Sequence, residues 1–293
     1  MPLSPIDRIR RFNRSVTAEV GALDSSFLGR GRPLGAARVL WSITPDGTDV
    51  ADVRQQLRLD SGLMSRLLRG LEAEGLITTD ILPDDRRRRV ARLTEAGLAE
   101  KAAYDRLNDD RAAETLARLS RDPEPLLAAM DLVANALNRD RIVIAPADPE
   151  APAARACLSA YFRLLCERIP GVSQAHVPDP DPEAGQYRPP HGIFLIAWSD
   201  GLPLGCVCLK AVDGATGEVK RLWVDPAARG LGLGRRLMSA IEDAARTLGM
   251  NRLRLDTNSG LTEAIALYRS GDWTDTAPFG PPFPADLWFE KVL

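Results

Sequence analysis

The sequence predicts two domains of different class, a helix-rich N-terminal half that closes on a β-hairpin and a C-terminal α/β half. The chain has 293 residues, more than one hydrophobic core usually organises, and roughly 150 residues per domain gives about two. Strand-like runs are sparse before residue 140 and alternate with helical ones after it. Between the halves, Arg141-Ile142-Val143-Ile144 reads as a short strand and is followed by Pro146, Pro149 and Pro152, which places the boundary between domains 1–140 and 141–293.

Composition narrows the class before any motif is read. Hydrophobic residues make up 45% and charged residues 27%, mean hydropathy is −0.16, and no apolar run approaches the roughly 18 residues of a membrane span. Met1 to Pro5 lead into Asp7, Arg8, Arg10 and Arg11 without the apolar stretch of a secretory signal, so a cytoplasmic location is expected. Cys157, Cys166, Cys206 and Cys208 sit among apolar neighbours without paired ligand spacing, so buried free thiols and no metal site are expected. The net charge of −2 conceals a local feature: five of the seven residues 86–92 are arginine. A nucleic-acid reader needs a concentrated basic footprint more than a basic chain, because counterions are released locally.

In the N-terminal half, helices are expected at 6–28 and 34–43, then a short helix at 49–57, a turn, and a longer helix at 61–74. Asp60 is placed to cap that last helix. Leu63, Met64, Leu67, Leu68 and Leu71 recur on one face, while Ser61, Gly62, Ser65, Arg66 and Arg69 fall on the others, so one side packs and the other can enter a groove. Gly75 ends the helix. Two strand-like runs then flank the polar turn Pro83-Asp84-Asp85, and a new helix starts after Leu93-Thr94. Helix-turn-helix followed by a hairpin wing, with Asp85-Arg86-Arg87 ahead of Leu93-Thr94-Glu95-Ala96-Gly97, resembles the MarR repressors over residues 6–139. The resemblance implies a winged helix that reads double-stranded DNA, with Arg87 entering the minor groove and Asp85 orienting it. Arg86 and Arg88 belong to the same basic wing, while Ser61, Gly62, Ser65, Arg66 and Arg69 approach the major groove. Helices at 6–28, 94–119 and 123–138 resemble the dimerisation helices of that family, which implies a homodimer on a pseudo-palindromic site.

In the C-terminal half, the segment from Glu218 to Arg235 reads as a strand, a turn and a glycine-rich entry into a helix that runs to about residue 248. Glycines at 230, 232 and 234 let backbone approach a bulky ligand at a helix N-terminus, where unpaired N–H groups favour a diphosphate. A dinucleotide fingerprint requires Gly-x-Gly-x-x-Gly with a distant acidic ribose ligand, and a Walker loop requires Gly-Lys-Ser/Thr; neither is present. Arg229-Gly230-Leu231-Gly232-Leu233-Gly234 instead resembles the pyrophosphate loop of the GNAT N-acetyltransferases. Strands at 193–198, 204–211, 252–257 and 287–292 and the segment Thr262 to Trp273 extend that resemblance over 142–293. The proline-rich stretch 174–190 is expected to be a loop.

That resemblance implies an acyl-CoA N-acyltransferase fold that takes acetyl-CoA and an amine acceptor. The strand ending at Val224 would splay from the one ending near Thr257, so that backbone of Leu222, Trp223 and Val224 meets the pantetheine arm. Arg229, Gly230, Leu231, Gly232, Leu233, Gly234 and Arg235 would hold the diphosphate, with Asn258 nearby. Transfer to an amine needs a proton acceptor and a proton donor for the departing thiolate; Glu218 is the candidate base and Tyr268 the candidate acid. His176 and His191 are candidates for substrate contact but read more simply as surface residues. The function expected is a MarR-type regulator fused to an acetyl-CoA-dependent N-acetyltransferase. The alternative is a transcription factor whose acyltransferase fold only senses acetyl-CoA.

Overall fold

The computed structural model describes residues 4–82, 85–119, 122–173 and 181–293, with backbone alone at 82, 85–87 and 119. The chain divides into two compact units, residues 1–123 and 124–293. Among the described residues, no helix is long and apolar enough to cross a membrane.

In the first unit, α1 (Pro5–Glu19) starts where Ser4 Oγ accepts from the Asp7 amide at 3.2 Å. It stops well short of residue 28, because Gly21 takes φ +62° and Leu28 φ +51°, left-handed conformations that no helix continues through. α2 (Leu34–Ser42), α3 (Val50–Leu57) and α4 (Ser61–Ala73) follow. Asp49 and Asp60 cap the last two, accepting from the Ala51 and Leu63 amides at 2.8 Å each. Strands β1 (Thr48–Asp49), β2 (Ile77–Leu82) and β3 (Asp85–Leu93) form one antiparallel sheet in the order β1-β3-β2. The hairpin β2–β3 is the wing expected from sequence, its register running from Ile77 opposite Leu93; the Pro83-Asp84 turn lies outside the described residues. Leu40, Ile43, Val53, Met64, Leu68, Leu71 and Ile77 are buried together in the core.

α5 (Glu95–Leu119) is locked to this core through a carboxylate. Glu100 accepts from Arg30 Nε at 2.9 Å and from Arg32 Nη1 at 2.7 Å, and Arg32 also reaches Glu74 at 2.5 Å and the Tyr104 hydroxyl at 3.1 Å. The Arg30 hydrogen bond leads in holding the Glu100 carboxyl down from 4.5 to about 2, against the opposing effect of burial. Because folding depresses this group, its contribution is complete above pH 4.5 and is lost as pH falls through about 2. Thermal melts followed by circular dichroism should lose stability across that window in the wild type and lose less of it in Glu100→Gln; an identical pH dependence would refute the role.

The second unit begins with α6 (Glu124–Leu137). The sequence boundary at 140 assigned this helix to the N-terminal half, but its side chains bond residues of the C-terminal unit, as in Asn135 Nδ2 to the Ala227 carbonyl at 3.2 Å. Then come β4 (Val143–Pro146), α7 (Pro152–Arg168), β5 (Gly192–Ser199), β6 (Leu202–Ala211), β7 (Thr216–Val224), α8 (Leu233–Thr247), β8 (Arg252–Thr257), α9 (Thr262–Arg269), β9 (Thr274–Asp275) and β10 (Leu287–Val292). The sheet order is β4-β5-β6-β7-β8-β10-β9, with β7 and β8 parallel and the other pairs antiparallel. α8 and α9 cover one face, Leu237 and Ile241 of α8 packing with Leu253, Leu255 and Phe289 of the sheet, and α7 covers the other over Phe194, Ile196, Cys206, Cys208 and Trp223.

Two sequence expectations change here. Residues 174–180 lie outside the described residues, but 181–190 is not simply a loop. It contains a 3₁₀ turn, Ala184–Tyr187, and buries Asp181 and Tyr187 against the sheet. Cysteines 157, 206 and 208 are buried and unbridged as expected, whereas Cys166 is only half-buried.

Candidate functional site

β7 and β8 pair only at Thr216 with Arg252, Gly217 with Leu253 and Glu218 with Arg254. Beyond Glu218 the two strands form no further ladder among the described residues, so β7 presents an unmatched edge across an opening wedge. A β-bulge accentuates it. Cys208 faces Lys220 and Cys206 faces Trp223, so one residue of β6 opposes two of β7, and Arg221 takes the extra position at φ +57°. Lys220 and Arg221 therefore share the α7 face, and Leu222 and Val224 pack toward α8 and α9.

Below the wedge the chain turns through Asp225, whose side chain accepts from the Ala227 amide at 2.8 Å, and enters α8. Gly230 and Gly232 adopt φ +75° and +78°, a region where a Cβ is strained. A Cβ at Gly230 would meet nothing within 4 Å, whereas one at Gly234 would press on Leu267 at 3.1 Å. Two of the glycines thus shape the loop, and the third lets α9 approach. The first-turn amides of α8 lack intrahelical acceptors, and Leu233, Gly234 and Arg235 of that turn line this concavity. A cleft of about 490 Å³ runs from it to the wedge.

The cleft brings together most of the residues expected from sequence: Leu222, Trp223, Val224, Arg229, Gly230, Gly232, Leu233, Gly234 and Arg235. Leu231 does not line it; its carbonyl accepts from Arg139 Nε at 3.1 Å. Nor does Asn258, whose amide is spent on the Pro284 carbonyl at 2.6 Å and the Gly260 amide at 2.8 Å. Sequence reasoning missed the opposite walls, Tyr161, Leu164 and Arg168 of α7 and Glu263, Ala264 and Leu267 of α9. The 161/164/168 spacing, one helical face, was the available signal.

Glu218 is 5% exposed and does not suit the proton-acceptor role expected of it. Its carboxylate bonds Arg254 Nη2 and Lys220 Nζ at 2.7 Å each, with Lys210 at 3.7 Å. Burial alone would raise its carboxyl, but the Lys220 and Arg254 cations outweigh burial and hold it below the usual carboxylate range. A lowered group accepts a proton less readily. Lys220 also bridges the wedge to Asp256 at 2.5 Å. Arg221 Nε pairs with Asp181 at 3.0 Å and its guanidinium lies 4.9 Å from the Phe162 ring centre.

Tyr268 is 6% exposed and lies behind the cleft, tilted against Trp273 at 6.1 Å and Phe289 at 5.8 Å. Burial pushes its phenol up, with Tyr161 and Asp256 adding to the shift. Tyr161 stands on the cleft wall with its own phenol raised by burial. His176 lies outside the described residues, and His191 is exposed.

In the first unit, Ser61, Gly62, Ser65, Arg66 and Arg69 form the exposed side of α4, opposite buried Met64, Leu68 and Leu71. Arg69 Nε bonds the Ser65 carbonyl at 3.2 Å. Asp85, Arg86 and Arg87 fall in β3, their side chains outside the described residues. The arginine run is partly committed within the unit: Arg88 pairs with Asp49 at 2.8 Å and Arg92 with Asp80 at 3.1 Å.

Residues 158–271 match the family model of the acetyltransferase (GNAT) family, and residues 36–97 match that of a winged helix DNA-binding domain. An IAA acetyltransferase of Azospirillum brasilense is 46% identical over 103 residues, 34% of this chain and 67% of that protein. A mycothiol acetyltransferase of Beutenbergia cavernae is 41% identical over 78 residues, 27% of this chain and 26% of that protein. An N-acetyltransferase of Schizosaccharomyces pombe is 41% identical over 96 residues, 32% of this chain and 59% of its own length. These matches span about two thirds of the relatives' lengths or less. Among solved structures, a GNAT family acetyltransferase of Elizabethkingia anophelis with acetyl-CoA bound is 18% identical, with TM-score 0.39 over 53% of this chain and 99% of that one.

Proposed function

We propose a function from one premise: this chain belongs to the GNAT acetyltransferase family and carries a winged helix DNA-binding domain ahead of its catalytic unit. It transfers an acetyl group from acetyl-CoA to an amine of a small molecule or protein, and its N-terminal unit, of MarR type, binds double-stranded DNA as a homodimer. The observation that carries the enzymatic half is the glycine loop at the N-terminus of α8, set directly below the wedge between β7 and β8.

The residues present fit the coenzyme. The open space at Gly230, the α8 amides and the Arg229 and Arg235 guanidiniums on the lining form a cradle for a diphosphate. When bound, acetyl-CoA supplies a thioester whose acetyl group passes to the amine and whose sulfur leaves as a thiolate. The chain's own part is to orient and to manage protons. Backbone groups on the edge of β7 left unmatched by β8, within residues 222–224, align an extended ligand along the strand, and a backbone N–H there supports developing oxyanion charge. Tyr268 keeps its proton at working pH and is assigned as donor to the sulfur. Glu218 serves to hold β7 against β8. The acceptor amine therefore loses its proton to solvent rather than to this carboxylate, and the relatives' names, which point to different acceptors, leave it as an amine class.

The dimer rests on α1. Ile6 and Ile9 are 63% and 61% exposed, and no residue of this helix is buried. With Phe12, Val16 and Val20 they form one stripe at helical spacing, which a second copy would cover.

Calorimetry with coenzyme A and thiol release from acetyl-CoA across an amine panel test the enzymatic half. Uptake with turnover of at least one amine is expected; no uptake overturns the proposal, and uptake without turnover of any amine assigns the unit to sensing. For the reader, Arg66→Ala should weaken DNA retention and shallow the log K against log salt slope by about one. Unchanged retention would remove Arg66 from the interface.

A further inference from the structure

Within the second unit, the end of α6 and the turn after it are bonded to the loop assigned to the coenzyme. Residues 135–142 exchange four hydrogen bonds with residues 227–236. Buried Asn135 gives its Nδ2–H to the Ala227 carbonyl at 3.2 Å, and Arg139 gives its Nε–H to the Leu231 carbonyl at 3.1 Å. In return Arg236, in the first turns of α8, reaches the Arg139 and Ile142 carbonyls at 3.2 and 2.5 Å. The Arg139 guanidinium lies so close that a Cβ on Gly232 would stand 3.8 Å from Nη2.

These contacts fall on the peptide groups that matter. The Leu231 carbonyl and the Gly232 amide are two ends of one peptide unit, and Gly232 lines the cleft. A cation donating to the carbonyl draws electron density from the amide and strengthens it as a donor to an anion. The guanidinium also adds positive potential beside a loop built for negative charge. Asn135 holds the turn into the loop by its Ala227 carbonyl, while the Ala228 amide of that peptide is already given to the Asp225 carbonyl at 2.8 Å. Conversely, an anion on the Gly232 amide strengthens the Leu231 carbonyl as an acceptor and tightens Arg139 onto the loop.

We propose that Arg139 is a positioning residue of the anion grip, so that coenzyme occupancy orders residues 135–142 at the start of the catalytic unit. Coupling of this kind is reciprocal: whatever restrains the segment changes affinity for the coenzyme by the same factor that the coenzyme restrains the segment. The inference rests on the reading that the glycine loop holds the coenzyme diphosphate.

The test uses the full chain and coenzyme A alone, read by calorimetry and by amide hydrogen exchange, with donor kinetics alongside. In the wild type, coenzyme A should slow exchange both at 227–236 and at 135–142. Arg139→Ala should weaken coenzyme A binding and raise the donor KM about tenfold, the order expected for one hydrogen bond to a charged group. Its kcat should stay within twofold of wild type, and Arg139→Lys should recover part of the affinity through charge. Protection confined to 227–236, or a donor KM within twofold of wild type in Arg139→Ala, overturns the proposal. The exchange measurement on the wild type stands even if a variant folds poorly. If the wild type takes up no coenzyme A, the parent reading fails and this inference falls with it.

Discussion

Tyr268→Phe should lower kcat for acetyl transfer about a hundredfold, the lower end of what a positioned general acid contributes, and leave the donor KM within twofold. The substitution is clean. Phenylalanine keeps the ring against Trp273 and Phe289, so the core of the catalytic unit is retained and only the O–H is lost. Burial raises the phenol above its ordinary value of 10, so it stays protonated through the ordinary assay range and adds no falling limb to the rate there. Thiol release with the best acceptor measures the effect. Tyr161→Phe is the needed comparison, because Tyr161 stands on the cleft wall and Tyr268 behind it. A hundredfold loss in Tyr161→Phe with near-normal Tyr268→Phe would transfer the acid role to Tyr161.

Arg221→Ala should destabilise the catalytic unit by about 3 kcal/mol, the cost of removing one partner from a buried ion pair. Asp181, 1% exposed at its side chain, pairs with this guanidinium, and Glu183 lies 3.4 Å from it. The variant would leave both carboxylates without it, and the stacking over Phe162 would go too. An opposing effect can be separated, since Arg221 sits at φ +57°, where a side chain costs about 1 kcal/mol or more. Arg221→Gly should therefore be less damaging than Arg221→Ala by about that amount, yet still well below wild type, because loss of the ion pair outweighs backbone relief. For a unit of this size the alanine variant should melt roughly 6–12 °C lower by calorimetry. A shift under about 2 °C would show that solvent already balances the two carboxylates.

The parts legible in the sequence are those whose cause is local. Gly230 and Gly232 were readable because left-handed backbone calls for glycine wherever it occurs, and Asp60 because a cap acts within three residues. The ion pairs of Glu218 were not legible, because they come from Lys210 on β6 and Arg254 on β8, cations that only the sheet brings alongside. Asn258 looked available until the fold supplied the Pro284 carbonyl. Helix 124–137 was visible as a helix, but periodicity does not tell which core it joins, and the compact unit that takes it in begins at 124 rather than 141. Tyr161 and Arg168 lie more than fifty residues before the loop they face, and no local pattern announces that meeting.

The extra residue in β7 has a consequence for anyone redesigning the pocket. A strand normally sorts odd and even positions onto opposite sides, but the inserted residue reverses the parity halfway along. Upstream, positions 218 and 220 look toward α7; downstream, 221 and 223 do. A mutant library built on simple alternation would thus vary one chamber at its lower end and the other at its upper end, and specificity changes would be credited to the wrong wall.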